Sequence, residues 1–145
     1  MNYQLKKAQP CTVCGRFDNR GASIDAVIMK NSQILLIQRG IEPFKGYWGT
    51  PGGYVGWNES VEDTVKREVK EETGLEVKKV SLVSVHSEPE RHPKQVINLV
   101  YKVEVEDGEA KHGDDASDAK WFDINNLPDQ MALDHKQNIK EATQK

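Results

Sequence analysis

The sequence predicts an α/β protein in which a mixed β-sheet lies between helices on its two sides. Apolar runs separated by turn residues predict strands that are buried on both faces. An apolar stripe at helical spacing predicts one long helix in the middle of the chain. The strand pattern then returns, so the order β-β-β-α-β-β-β-α indicates a layered sandwich. A length of 145 residues suits one compact domain.

The predicted domain, residues 21–145, opens with two strongly apolar runs. Ala26 to Met29 and Ile34 to Ile37 are separated by the turn residues Lys30-Asn31-Ser32, so we predict a hairpin. Residues 1–20 before it are polar and contain a Cys-x-x-Cys pair, which predicts an arm outside the core.

A loop rich in Gly, Pro and aromatic residues fills positions 40–53, and a short strand is expected at Gly53–Val55. A helix is expected to begin at the N-cap Ser60 and to end at Gly74 in a left-handed conformation. Its apolar stripe repeats every four residues, at Val61, Val65 and Val69.

The remaining elements are mostly strands. Residues 77–85 fit one or two short strands, residues 96–105 a long one, and residues 120–124 a short one that carries Trp121 and Phe122. Asp134 is expected to cap a last helix that runs through Ala142.

Composition excludes several classes of function. A net charge of −3 gives no basic footprint for a nucleic acid duplex, and no apolar run approaches the roughly 20 residues of a membrane span. The N-terminus has no apolar stretch typical of a secretory signal, and two cysteines make no disulfide framework. We therefore expect a cytoplasmic protein.

Three glutamates in the central helix carry the strongest chemical signal. Glu68, Glu71 and Glu72 stand at i, i+3 and i+4, so their carboxylates share one helical face and repel one another. A compensating cation would relieve that repulsion, and carboxylate oxygens suit Mg²⁺ or Mn²⁺. Arg67 adjoins the cluster and is placed to pair with Glu59.

An acidic helix face is more often only solvated, and Lys66 and Lys70 offer ordinary ion pairs. The surroundings argue against that interpretation. A Gly52-Gly53 turn upstream allows backbone carbonyls to approach an ion closely, and Gly74 stops the helix immediately after the acids.

The segment from Gly53 to Leu75 resembles the Nudix box, Gly-x5-Glu-x7-Arg-Glu-apolar-x-Glu-Glu-x-Gly-apolar. The flanking Leu35 to Arg39 and Trp121-Phe122 also resemble strands of that family. The box is matched at Gly53, Glu59, Arg67, Glu68, Val69, Glu71, Glu72, Gly74 and Leu75.

This resemblance implies the Nudix fold and hydrolysis of a nucleoside diphosphate linked to another group. It implies that Glu68 and Glu72 are the principal ligands of Mg²⁺ or Mn²⁺, with Glu71 as a further ligand or as the residue that orients the attacking water. The carbonyl of Gly52 would complete the metal site.

The resemblance also implies that Arg67 holds Glu59 or a neighbouring glutamate in place, so both join Glu71 as predicted catalytic residues. The general base varies in this family between box glutamates and acids on later loops. The late candidates here are Asp114 and Asp115.

Several loops resemble the ADP-ribose pyrophosphatase branch of the family, although Pro89 and Pro93 only flank the position of that branch's diagnostic proline. These loops are Pro43 to Trp48, Ser87 to Pro93, Gly113 to Ala116 and Leu133 to His135. Three of the four histidines, at positions 92, 112 and 135, lack metal-ligand spacing with one another and are interpreted as ordinary polar residues.

Candidate substrate contacts follow from these loops. Phe44, Tyr47 and Trp48 are candidates for stacking on a base. Arg39 and Arg91 are candidates for binding phosphate, and Asp115 for binding the distal ribose. The alternative is structural, with the aromatic residues packing the loop onto the sheet and Arg91 merely solvated.

Cys11-x-x-Cys14-Gly15 resembles one knuckle of a zinc ribbon. Structural zinc needs four ligands, and the chain has no second such pair. A remnant or a reduced pair is the favoured interpretation, and a site shared across a homodimer is the alternative.

Three functions compete at this point. The first is hydrolysis of ADP-ribose, a small-molecule nucleotide, to AMP and ribose 5-phosphate. The second is a sanitising nucleoside triphosphate pyrophosphohydrolase. The third is an inactive nucleotide-sensing module, against which the intact glutamates argue.

Overall fold

A computed structural model describes residues 8–144, so Lys145 and residues 1–7 of the predicted arm lie outside it. The described elements are seven strands and two helices. The strands are β1 (Ala22–Lys30), β2 (Gln33–Arg39), β3 (Trp48–Gly49), β4 (Gly52–Tyr54), β5 (Val77–His86), β6 (Ile97–Val105) and β7 (Ala116–Asp123). The helices are α1 (Val61–Thr73) and α2 (His135–Thr143), and a single 3-10 turn spans Pro89–Arg91.

The sheet is mixed, as predicted. Its main path runs β3-β2-β1-β6-β5, with β4 pairing with β1 and β7 pairing with β2. Strands β1 and β6 are parallel, and the other pairs are antiparallel. Neither described helix is long and apolar enough to cross a membrane.

Strand β1 has two apolar faces because a helix covers each side of the sheet. Ala26 and Ile28 pack with Val65 and Val69 of α1. Val27, which points to the opposite face, packs in a second cluster with buried residues of α2. The predicted sandwich and the predicted hairpin between β1 and β2 are therefore confirmed.

Helix α1 begins and ends where its sequence predicts. Ser60 and Asp63 form a capping box, with Asp63 N donating to Ser60 Oγ at 3.0 Å and Ser60 N donating to Asp63 Oδ2 at 3.1 Å. Gly74 ends the helix with a φ of 75°, in the left-handed region.

Strands β1 and β2 pair only near their hairpin, from Ile28 with Leu35 onward. Beyond that point, β4 pairs with β1 and β3 pairs with β2. The two long strands therefore separate, and the opening between them is where the site described below lies.

Some predicted boundaries are wrong. Strand β7 begins at Ala116, four residues before the prediction, because pairing with the whole of β2 extends it through polar residues. Strand β3 was not predicted, because its two residues lie within a loop-like composition. Residues 77–85 belong to one strand, which has a register shift between Leu82 and Ser84.

Two local predictions also need correction. The Gly52-Gly53 pair lies in strand β4 rather than in a turn. Asp134 occupies the N-cap position of α2 but makes no capping hydrogen bond, because its Oδ2 instead accepts from Arg91 Nη1 at 2.9 Å.

Candidate active site

Helix α1 presents its glutamates toward strand β4. Glu72 Oε2 accepts a hydrogen bond from Gly52 N at 2.7 Å, so the acidic face lies directly against the Gly-Gly strand. A Cβ atom on Gly53 would stand 2.2 Å from Glu68 Oε1, and one on Gly52 would stand 2.2 Å from the carbonyl oxygen of Ile24. Only glycine therefore allows this close approach of strand and helix.

Arg67 organises the remaining acids. Its Nε and Nη2 donate to the two oxygens of Glu59 at 3.0 and 2.9 Å. Its Nη1 donates to Glu68 at 2.9 Å and to Glu71 at 3.2 Å. The predicted pairing of Arg67 with Glu59 is present, and one guanidinium links three of the glutamates of the motif.

The electrostatics differ sharply among these carboxyl groups. Hydrogen bonding to Arg67 lowers the pKa of Glu59 to about 2. Burial raises the pKa of Glu72 to about 8, and burial likewise raises the pKa of Glu68 above its usual value. A divalent cation beside Glu68 and Glu72 would favour their charged forms.

The donor chemistry fits a hard cation, since it consists of carboxylate oxygens next to a backbone strand. Within residues 8–144, no three His, Cys, Asp or Glu side chains already converge at metal-binding geometry. Glu68 and Glu71 face Arg67, and Glu72 faces Gly52.

One cavity, of about 510 Å³, lies beside the glutamates. Its walls include Glu68, Glu71, Glu72, Asp114 and Asp115. The loop that carries the two aspartates is held against the end of α1, where Gly113 N donates to the carbonyl oxygen of Glu72 at 3.2 Å. The late acids predicted from the sequence are thus in the same cavity as the helical acids.

A second cavity, of about 210 Å³, lies in the opening between β1 and β2. Arg39, Ile37 and Glu72 line both cavities, so the two cavities adjoin at these residues. Arg91 lines the second cavity, where its ion pair with Asp134 shows that it is not merely solvated.

The predicted aromatic contacts do not lie in this groove. Trp48 packs edge-on against Phe122, with ring centroids 4.8 Å apart, in the core beneath α2. Phe44 packs edge-on against Tyr47 at 5.6 Å. Neither Phe44 nor Trp48 lines either cavity, whereas Tyr54 lines the second. The stacking roles of Phe44 and Trp48 stay predictions.

A polar cluster beside the second cavity was not predicted from the sequence. Asp25 Oδ2 accepts hydrogen bonds from Asn98 Nδ2 at 2.7 Å and from Asn138 Nδ2 at 2.8 Å. His135, interpreted above as an ordinary polar residue, faces the same carboxylate. The available signal was Asp25 itself, a charged residue immediately before an apolar run predicted to be buried.

The N-terminal arm is exposed from residue 8 to residue 20. Cys11 and Cys14 are free thiols in a tight turn, in which Gly15 N donates to the carbonyl oxygen of Cys11 at 2.8 Å. Arg20 connects the arm to the domain, donating to the carbonyl oxygens of Gln95 at 2.6 Å and Ser87 at 2.5 Å.

The chain is similar in sequence to several known proteins. The chain is 49% identical over 120 residues to an ADP-ribose pyrophosphatase of Methanocaldococcus jannaschii, covering 82% of this chain and 70% of that protein. It is 31% identical over 137 residues to the NAD-capped RNA hydrolase NudC of Stutzerimonas stutzeri, covering 92% of this chain but only 47% of the relative. The chain thus spans just under half the length of that second relative.

Solved structures share the fold. The NUDIX domain of Shewanella oneidensis NrtR, complexed with ADP ribose, superposes with a TM-score of 0.76 at 27% identity and covers 88% of this chain and 89% of that one. A bifunctional NMN adenylyltransferase/ADP ribose pyrophosphatase of Francisella tularensis, complexed with AMP and a Mn ion, gives 0.74 at 27% identity, covering 87% and 42%. The NUDIX domain model itself matches residues 19–142, and the chain therefore belongs to the NUDIX family of hydrolases.

Proposed function

We propose that this protein hydrolyses the diphosphate linkage of ADP-ribose and releases AMP and ribose 5-phosphate. The observation that carries the proposal is that two cavities adjoin at Arg39 and Glu72, which line both of them. A substrate with a sugar at each end would extend into both cavities and would place its diphosphate at this junction. The Methanocaldococcus jannaschii relative, an ADP-ribose pyrophosphatase, supports the same substrate.

We propose Mg²⁺ or Mn²⁺ as the cofactor, held by Glu68 and Glu72 with Glu71 and the Gly52 carbonyl as further ligands. The donor set favours such a cation, and a Mn ion accompanies AMP in the Francisella enzyme. When bound, the cation would supply charge neutralisation at the phosphate oxygens and would activate water.

The remaining roles in the reaction would fall to side chains of the protein. Arg67 would keep Glu68 and Glu71 oriented, and its pair with Glu59 would fix the guanidinium itself. Arg39, at the junction of the cavities, would bind a phosphate oxygen. Asp114 and Asp115 border the larger cavity and are candidates for the general base, with Asp115 also a candidate contact to the distal ribose.

A comparison of substrates at fixed Mg²⁺ and pH tests the proposal. We expect kcat/KM for ADP-ribose to exceed that for 8-oxo-dGTP and for dihydroneopterin triphosphate. A triphosphate that wins by tenfold, about 1.4 kcal/mol of transition-state preference, would replace this proposal with the sanitising function. Tight binding of ADP-ribose without turnover of any nucleotide would instead indicate the sensing function.

The proposal also covers the cellular location of the protein and its assembly. We propose a cytoplasmic protein, in keeping with the free thiols of Cys11 and Cys14. A homodimer is proposed only as the assembly that would complete a zinc site from two such pairs. Molar mass in solution, measured together with zinc content, tests this assembly.

A further inference from the structure

The buried cluster around Asp25 leaves one carboxylate oxygen open to the smaller cavity. Oδ2 is occupied by the two amide groups of Asn98 and Asn138. Oδ1 accepts no hydrogen bond from any described residue, although the side chain is only 12% exposed. This oxygen has no protein donor and belongs to a residue that lines the smaller cavity, so it is available to accept a hydrogen bond from a ligand.

His135 supplies a donor beside that oxygen. Thr50 N donates to His135 Nδ1 at 2.8 Å, so Nδ1 carries no proton and the neutral ring holds its proton on Nε2. The ring cannot move freely, because Gly49 packs so closely that a Cβ atom there would lie 2.7 Å from Nδ1. His135 Nε2 is thereby presented to the cavity as a fixed donor.

The distance between His135 Nε2 and Asp25 Oδ1 determines what the two groups can bind together. His135 Nε2 lies 3.9 Å from Asp25 Oδ1, which is too far for a direct hydrogen bond. A hydroxyl oxygen placed between them can accept from Nε2 and donate to Oδ1 at the same time. Both residues line the smaller cavity, which also meets Arg39 and Glu72 at the proposed phosphate position.

We propose that Asp25 and His135 together bind one hydroxyl group of a substrate ribose, and so select ribosyl over deoxyribosyl substrates. This inference rests on the proposed function, because it takes the sugar to be part of a nucleoside diphosphate derivative. It assigns a role to two residues outside the glutamate motif. The selectivity follows because a deoxy substrate lacks the hydroxyl group that would pair with both the Nε2 proton and Oδ1.

Two variants of the full-length chain separate this role from a structural one. Asp25→Asn keeps the shape, since its carbonyl oxygen can still accept from both neighbouring amides while its NH₂ group replaces the open Oδ1. His135→Leu removes the donor. The matched control is His86→Leu, because His86 contacts Glu141 of α2 on a different surface, with Nε2 3.0 Å from Oε2, and lines neither cavity.

The measurement is the ratio of kcat/KM between ADP-ribose and analogues that lack a single hydroxyl, at the adenosine ribose or at the distal ribose. We expect the wild type and His86→Leu to prefer ADP-ribose over one such analogue by about tenfold or more. Asp25→Asn and His135→Leu should reduce that ratio to about two or less. The analogue that responds identifies which ribose the pair binds.

If the ratio of kcat/KM between ADP-ribose and the deoxy analogues is unchanged in both variants, the inference is wrong, even if overall activity changes. The cluster would then have a purely structural role. A collapse of discrimination between adenine and hypoxanthine substrates, with the sugar ratio intact, would also overturn it. If ADP-ribose is not turned over, the proposed function fails first. The same ratio, measured on the ribo and deoxyribo forms of whichever nucleotide is hydrolysed, then decides the inference separately.

Discussion

Glu59 and Arg67 form a two-point ion pair across the N-terminal half of helix α1. The guanidinium Nε lies 3.0 Å from one carboxylate oxygen, and Nη2 lies 2.9 Å from the other. This planar match fixes the direction of the third nitrogen, Nη1, which contacts Glu68 and Glu71. The ion pair therefore positions the acidic face of α1 and is not an isolated surface interaction.

Replacing Arg67 with lysine tests this positioning. An ammonium group cannot make two parallel hydrogen bonds to Glu59 and also contact Glu68. We expect kcat to fall by about 10- to 100-fold, which is typical when the support of a metal ligand is lost. Steady-state kinetics over a Mg²⁺ titration measure the effect. The exposed Lys66→Ala serves as the control, and an Arg67→Lys enzyme with wild-type kcat would contradict the prediction.

Glu72→Gln tests the proposed metal ligand. Glutamine has the same shape and can still accept from Gly52 N, so the circular dichroism spectrum and the unfolding midpoint should change little. The charge is lost, and we expect kcat to fall roughly 100-fold or more. Mn²⁺ affinity, measured by titration calorimetry, should fall in parallel.

The control for Glu72→Gln is Glu76→Gln, the same change at an exposed residue whose side chain pairs with Lys70. Undiminished turnover by purified Glu72→Gln protein, with Glu76→Gln also normal, would remove Glu72 from the site.

Gly53→Ala tests how closely strand β4 and helix α1 must approach. The new methyl carbon would lie 2.2 Å from Glu68 Oε1, so this carboxylate would have to move. We expect roughly a 100-fold loss of kcat, the scale that a misplacement of about 1 Å produces. Thermal stability should fall much less, because the end of a side chain yields more easily than backbone.

Gly21→Ala provides the comparison, since its methyl carbon would meet the Tyr54 ring at an ordinary 3.7 Å. Equal activities of the two alanine variants would show that Glu68 tolerates displacement.

The N-terminal arm is expected to affect substrate binding rather than the chemical step. Arg20 holds the segment between Ser87 and Gln95, which carries Arg91 into the smaller cavity. We expect Arg20→Ala to raise KM by about three- to tenfold with little change in kcat. Deleting residues 1–15, which removes both cysteines but keeps Arg20, should leave kcat/KM within about twofold. A large loss in the deletion variant would show that the cysteine pair contributes to activity.

The sequence predicted correctly those elements whose ends depend on local chemistry. Ser60 and Gly74 define helix α1 because a capping side chain and a left-handed glycine act within one turn of chain. The early hairpin follows for the same reason. Strand β3 and the early start of β7 were missed, because pairing with β2 stabilises segments whose own composition is polar or loop-like.

The sequence by itself determined the acidic machinery, since Glu68, Glu71 and Glu72 occupy one face of one helix and their spacing alone places them together. Only the tertiary structure decided what surrounds that machinery. Asp25 and His135 are 110 positions apart and meet because β1 and β2 separate and α2 covers the opening. The same packing put Trp48 against Phe122 in the core, away from the groove. Helical periodicity is encoded locally, whereas contacts across the sheet depend on how every element packs.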